Sequence, residues 1–197
     1  AETKPYQLLA AARCGFCVPH TIIGNDVIEV QQQFHGDLAL KSIDTVYLRE
    51  NRDAVFAYTS IVCSGTLSDK TFHQAPVTAQ QFLSPKTDLR VTVVGSAVFA
   101  YKILANGHAA PGDWRLHKRE ELTYAHYILP EIIKNRCVAI CSNLKLPFGA
   151  IDLIESDGEF FFIEINPTGE WAWLPDAEST IGEAIALWLA GNGQRDA

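Results

Sequence analysis

FGAIDLIESDGEFFFIEINPTGEWAWLP, Phe148 to Pro175, is the stretch on which the fold turns. Two apolar runs, Gly149 to Glu155 and Phe160 to Ile165, bracket Ser156-Asp157-Gly158, the pattern of a β-hairpin. Into these runs the chain inserts Asp152, Glu164 and Asn166. A carboxylate among apolar neighbours is costly unless a cation or hydrogen bonds compensate it. Strand side chains alternate between faces, so the loop length decides which of these residues share one. A three-residue loop, Ser156-Asp157-Gly158, puts all the even-numbered positions on one side, whereas a two-residue Asp157-Gly158 turn separates Asp152 from Glu164 and Asn166. The three-residue form, with Gly158 left-handed, is the expectation. Hard oxygen ligands converging on one face suit Mg²⁺, which completes its octahedron with water and phosphate oxygens. The alternative is a polar edge on a buried sheet.

Working outward, Thr3 to Cys14 predicts a helix with Pro5 in its first turn and Gly15 at its end. A strand at Thr21 to Ile23, a helix at Val27 to Phe34 and a buried strand at Leu38 to Ile43 carrying Lys41 follow. Further strands are predicted at Ala54 to Ile61 and Val77 to Leu83, and Gly95-Ser96 reads as the turn between Asp88 to Val94 and Ala97 to Leu104. Arg119 to Ile140 reads as helix, broken or kinked at Pro130, and Ile181 to Ala190 as a terminal helix. The class is α+β, with antiparallel sheets and flanking helices.

The 197 residues are enough for one sizeable core or two small lobes sharing a cleft. With 48% hydrophobic and 20% charged residues, disorder and fibrous structure are excluded. A net charge of -7 argues against general nucleic-acid binding and confines any phosphate recognition to a pocket. No apolar run approaches the roughly 20 residues of a membrane span, and Ala1 to Leu8 lacks a signal-peptide layout, so no membrane association and a cytoplasmic location are expected. The five cysteines are odd in number and scattered, as reduced thiols are. Cys14 and Cys17 form a CxxC, but no second pair or paired histidines complete a zinc set, and a structural role is favoured.

The order GAIDL and then FIEINPTGEW resembles the end of the ATP-grasp fold, in which an Asp and a Glu-x-Asn hold the magnesium ions bridging the ATP phosphates. NPTGEWAWLP is similar to the ending of the microviridin-type ATP-grasp peptide maturases, which install lactone or lactam links in ribosomal peptides, and more distantly to ligases that add glutamate to a ribosomal protein. The resemblance implies two α+β lobes with antiparallel sheets enclosing an ATP cleft. Residues 1–83 would be the small lobe and hinge, and 84–197 the large lobe with the metal site. It also implies an N-terminal α/β domain of roughly a hundred residues ahead of Thr3, which this sequence does not include.

The same resemblance assigns ATP and a pair of Mg²⁺ ions as cofactors, the ions held by Asp152, Glu164 and Asn166. Lys41 would reach the α- and β-phosphates; taken alone, it reads as a lysine whose stem packs while its amine reaches solvent. Ala75 to Gly95 is similar to the family's hinge, where backbone groups near Gln81, Phe82 and Leu83 pair with the adenine edge. Many relatives carry Glu at the position of Gln81. Asp88 would meet the ribose and Arg90 the phosphates, with surface ion pairs as the plainer reading of both. Arg115, in GDWR, resembles the arginine that the superfamily places at the γ-phosphate and acyl phosphate, a task suited to a planar, permanently charged fork. A glycine-rich lid is poorly represented, since Thr59 to Thr66 contains only Gly65. Trp171 and Trp173 line a substrate surface or simply pack.

The implied reaction begins when a substrate carboxylate attacks the γ-phosphate, giving an acyl phosphate and ADP. An amine or hydroxyl then displaces phosphate to form an amide or ester. The expected partner is a peptide or other small carboxylate, and a homo-oligomer is left open. The rival reading, from another class, is an ATP-binding module shortened to this core and lacking ligase activity.

Overall fold

A computed structural model describes residues 3–43, 47–50, 53–56 and 58–192. Helix α1 (Lys4–Arg13) has Pro5 in its first turn and ends at Gly15, whose φ of 87° supplies the left-handed step that closes a helix. After β1 (Thr21–Gly24), Asp26 caps α2 (Val27–Gln33) by accepting from the backbone N–H groups of Ile28 (2.9 Å) and Glu29 (3.1 Å). Then come β2 (Asp37–Lys41), the hairpin β3 (Tyr47–Glu50) and β4 (Asp53–Phe56), β5 (Ser60–Cys63), α3 (Asp69–Phe72) and β6 (Val77–Gln81). A four-stranded antiparallel sheet runs in the order β1-β6-β2-β5. One face closes a small core of Val27, Val30, Phe34, Leu38, Phe72 and Ala79. Alternation leaves the register partners Ala39 and Gln80, and Lys41 and Thr78, on the other face.

The second sheet comprises β7 (Thr87–Val94), β8 (Ala97–Ala105), β9 (Leu122–His126), β10 (Phe148–Ser156) and β11 (Glu159–Asn166), with α4 (Glu131–Asn143) between β9 and β10. Its five antiparallel strands are ordered β11-β10-β7-β8-β9, and the Gly95-Ser96 turn follows from the pairing of Val94 with Ala97. On one face Leu89, Val91, Val93, Ile151 and Leu153 share a core with Ala10 and Ala11 of α1 and with Ile133, Cys137 and Ile140 of α4. On the other, Leu174, Ala177 and Ile181 pack on Val94 and Tyr101 before the chain enters α5 (Glu183–Asn192). The part of that face left uncovered is polar, carrying Glu164, Asp152 and Arg90 as successive register partners on β11, β10 and β7. The same row continues to Tyr101, beneath Leu174 and Ile181, and to His126.

The expected strand from Ala54 to Ile61 is in fact parts of two, since β4 pairs with β3 while β5 pairs with β2. The expected helix from Arg119 begins only at Glu131, behind Pro130. Leu122–His126 is instead a strand, because β8 presents a free edge from Tyr101 to Ala105 that it fills, and Thr123 and Tyr124 suit a pleated surface.

The carboxylate hairpin also differs from expectation. Ser156 pairs with Glu159, so the turn is the two-residue Asp157-Gly158, both with positive φ (50° and 80°). Continued unbroken, that register would set Asp152 opposite Ile163 and turn Glu164 to the other face. The register shifts between Asp152 and Leu153: Leu153 pairs with Phe162 and Asp152 with Glu164, leaving Ile163 as a bulge. The extra residue that restores common parity lies in the strand and not in the loop.

Candidate functional site

The two sheets face each other across a cleft of about 1210 Å³. Its floor is the Glu164, Asp152 and Arg90 part of the polar row, and its opposite wall the outer face of β2 and β6. Thr59 ties the walls together by donating its backbone N–H to Asp113 Oδ2 (3.2 Å).

Asp152 is buried and Glu164 half-buried, and a single guanidinium nitrogen joins them. Arg115 Nη2 donates to Asp152 Oδ2 (2.8 Å) and to Glu164 Oε1 (3.1 Å). Asp113 anchors the same side chain, accepting the backbone N–H of Arg115 (3.1 Å) and lying 3.5 Å from Nη1, while the guanidinium stands 5.0 Å from the Trp114 ring centroid. Arg90 Nη1 approaches Asp152 Oδ1 to 3.1 Å without hydrogen-bond alignment, and its guanidinium lies 5.7 Å from the Trp173 ring. Lys4 Nζ is 3.5 Å from Glu164 Oε2.

These charges set the ionisation of the site. Burial raises the Asp152 carboxyl above the usual range, with Arg90 and Arg115 opposing. Burial acts the same way on Glu164, but Lys4, Arg115 and Lys41 together outweigh it and hold that carboxyl low. Burial also works against the Arg115 charge; Asp152, Glu164 and Asp113 more than compensate and keep the guanidinium protonated. Lys41 donates to Gln80 Oε1 (2.8 Å), and Gln80 Nε2 donates to Thr21 Oγ1 (3.0 Å). With so little negative charge beside it, burial pushes the Lys41 ammonium down to about 8.

The structure thus brings together Lys41, Arg90, Arg115, Asp152, Glu164 and Asn166 around one cleft. Phe82, Leu83 and Asp88 line its narrower inner end, beside Ile154 and Lys86. Asp88 is bound by Lys86, and burial raises its carboxyl against that ion pair. The Gln81 side chain turns away, accepting from the His20 N–H (3.4 Å), and its own backbone N–H is taken by the His20 carbonyl (2.8 Å). Its neighbour Gln80 is the buried, cleft-facing amide. Trp173 lines the cleft, and Trp171 does so while packing at Gly182.

Sequence reasoning missed Gln80, Lys4 and Asp113. The alternation of Val77 and Ala79 toward the core was the available signal for Gln80. Asp113 stands two residues before Arg115, but nothing local marks Lys4, 160 residues from the Glu164 it meets.

Among the described residues no three His, Cys, Asp or Glu side chains converge on a metal position. The hard-oxygen set is two carboxylates and the Asn166 amide, and Asp152 Oδ1 is buried without a hydrogen-bond partner. That set fits a divalent cation that keeps most of its ligands as water and phosphate oxygens. The buried side-chain atoms without partners, among the described residues, are Thr78 Oγ1, Arg90 Nε and Nη1, Thr92 Oγ1 and Asp152 Oδ1. By strand parity they belong to the two facing sheet faces, and of their residues Arg90 and Asp152 line the cleft. No helix among the described residues is long and apolar enough to cross a membrane.

No family model and no curated protein matches the sequence. Solved structures do. A RiPP-associated ATP-grasp ligase from Chryseobacterium gregarium, in complex with ADP and a leader and core peptide, is 29% identical with a TM-score of 0.84, over 97% of this chain and 60% of that one. The macrocyclase MdnC from Microcystis aeruginosa MRC, bound with precursor peptide MdnA, is 25% identical with a TM-score of 0.77, over 98% and 62%. The ATP-grasp ligase PsnB, complexed with a phosphomimetic variant of a minimal precursor, Mg and ADP, is 20% identical with a TM-score of 0.75, over 97% and 59%. The chain spans about 60% of the length of these structures.

Proposed function

From a fold that is that of the ATP-grasp ligases, we propose that this chain forms the Mg-ATP site and catalytic core of a ligase that joins a carboxylate to an amine or hydroxyl, with a peptide as substrate. One observation carries the reading. Two carboxylates, Asp152 and Glu164, and three basic side chains, Lys41, Arg90 and Arg115, line the same cleft. So dense a set of basic groups beside two carboxylates favours a polyanionic ligand with a cation. The peptide substrate is supported by two of these solved structures, one in complex with a leader and core peptide and the other bound with a precursor peptide.

In this reading the adenine lies at the inner end, against Phe82, Leu83 and Ile154, with Asp88 toward the ribose. Lys41, held by Gln80, meets the α- and β-phosphates. Asp152, Glu164 and Asn166 hold Mg²⁺, which when bound neutralises phosphate charge as a Lewis acid. Arg90 and Arg115 stabilise charge on the transferred phosphoryl group, a role that a planar, permanently charged donor fork suits best. The substrate carboxylate oxygen attacks the γ-phosphorus and the bond to the ADP oxygen breaks, giving an acyl phosphate. The amine or hydroxyl then attacks the acyl carbon, phosphate leaves, and the nucleophile loses its proton. Among these residues none needs to act as a covalent nucleophile.

The test is ADP release from Mg-ATP on adding a peptide with acidic side chains. Peptide-dependent release supports the ligase. Thermal stabilisation by Mg-ATP with no release reduces the protein to a nucleotide-binding module, and unchanged stabilisation in the Asp152→Asn, Glu164→Gln double variant removes the Mg-ATP site itself.

A further inference from the structure

One guanidinium nitrogen of Arg115 lies within hydrogen-bond distance of both Asp152 and Glu164, at 2.8 and 3.1 Å. These are the carboxylates that the proposed function gives to Mg²⁺, and an ion shared by both has to sit between them, where Arg115 Nη2 sits. A cation in that position and the bridging guanidinium exclude each other. A guanidinium needs its acceptors about 2.8–3.0 Å away, and a Mg²⁺ ion needs them at about 2.0–2.1 Å with no like charge between. Arg115 is the more accessible arginine of the site. Its side chain is 36% exposed, whereas that of Arg90 is 8% exposed. Its backbone is held independently by the Asp113 cap of the turn Trp114–Leu116.

We infer that Arg115 is a resident counter-ion of the cation site, which Mg²⁺ displaces and thereby frees toward the phosphate end of the cleft. This rests on the proposed Mg-ATP site and adds its regulation. Without the arginine, two mutually repelling carboxylates would face each other in a largely buried row. With it in place, a free cation must displace a charge-assisted pair before binding, so its affinity is reduced by the fraction of time the site is released. Nucleotide phosphates offer the displaced guanidinium a new anionic partner. Cation and nucleotide therefore bind cooperatively, and each alone binds poorly.

The experiment uses Mn²⁺ as the probe ion, followed by its EPR signal, with and without nucleotide, on the whole chain and on Arg115→Ala, Arg115→Gln and Lys4→Ala. Removal of Arg115 is expected to tighten nucleotide-free Mn²⁺ binding by roughly tenfold or more, with Arg115→Gln as a better-packed check on folding. In chelator both Arg115 variants melt below the parent chain, and Mn²⁺ restores more of the loss than it gives the parent. Mg²⁺ alone changes the fluorescence of the parent chain, and Trp114→Phe removes that change, because the guanidinium leaves the Trp114 ring. Lys4→Ala deletes an equal charge that lies 3.5 Å from Glu164 without bridging to Asp152. If it tightens Mn²⁺ binding as much as Arg115→Ala does, charge alone explains the effect and the inference is overturned. Unaltered Mn²⁺ affinity in the Arg115 variants, with binding still abolished by Asp152→Asn, overturns it too while leaving the Mg-ATP site standing. Mn²⁺-nucleotide binding that survives Asp152→Asn combined with Glu164→Gln removes that underlying site as well.

Discussion

Asp152 and Glu164 face each other across β10 and β11 because Ile163, next to Glu164, has no partner in the register. A two-residue turn by itself would have turned the two carboxylates to opposite faces, and the bulge reverses that. Deleting Ile163 removes the unpaired residue and lets the pairs Leu153–Phe162 and Asp152–Glu164 follow one another in an unbroken ladder, with Glu164 still opposite Asp152. The expected outcome is that thermal stabilisation by Mg-ATP is retained, because the deletion leaves the pairing of the two carboxylates in place. A deletion variant that Mg-ATP no longer stabilises would show that their common face depends on more than the strand register.

Lys41 gives a pH dependence whose sign follows from its depressed pKa. The folded protein releases this proton near pH 8, while the unfolded chain keeps it to about 10.5. Its contribution to stability is thus present above about 10.5 and is lost as pH falls through about 8. Phosphate binding reverses the preference by rewarding the charged form. Nucleotide binding at pH near 9 should take up close to one proton, read by calorimetry in buffers of different ionisation enthalpy, and Lys41→Met should abolish that uptake. Equal uptake in the variant would assign the proton to another group.

Gln7 holds the outer edge of β11 at the residue between the metal-site side chains. Its buried amide donates to the Ile165 carbonyl (2.8 Å) and accepts the Ile165 N–H (3.0 Å), standing in for a neighbouring strand. Gln7→Leu keeps the bulk and orphans both backbone groups, at a cost of about 2–3 kcal/mol. Urea unfolding should show that loss, and Mg-ATP affinity should fall as Glu164 and Asn166 lose their support. Gln7→Glu, which keeps the acceptor, should lose less than Gln7→Leu at a pH low enough to protonate it.

Gly169 lets the chain fold back onto β10 after Asn166. A Cβ there would lie 2.3 Å from Ala150 Cβ and 3.2 Å from Asn166 Cβ, and neither of those atoms can rotate away. Gly169→Ala should cost about 1–3 kcal/mol by forcing the backbone apart and should weaken cation binding through Asn166. Gly149→Ala is the comparison, since its Cβ would meet Ile165 Cδ1 at 2.7 Å, the movable end of a side chain. A larger loss for Gly149→Ala, measured by thermal unfolding, would contradict this account.

Much of this molecule is legible residue by residue, because local sequence carries local periodicity. The hairpin carboxylates, the apolar alternation of β7 and β10, the Pro5 and Gly15 boundaries of α1 and the Gly95-Ser96 turn follow from side-chain chemistry within a few positions. Tertiary structure decided what depends on a partner. Leu122–His126 became a strand because the edge of β8 needed one, and nothing inside the segment excludes helix. The Gln80 side chain faces the cleft and that of Gln81 turns to His20, since the core beneath Ala79 sets the phase of β6. The common face of Asp152 and Glu164 rests on a bulge at Ile163, which inserts one residue without any local turn signal to announce it. The sequence alone therefore determined which chemical groups the site contains. Their convergence was decided by strand register and packing, because face and phase are properties of pairs of strands and not of one.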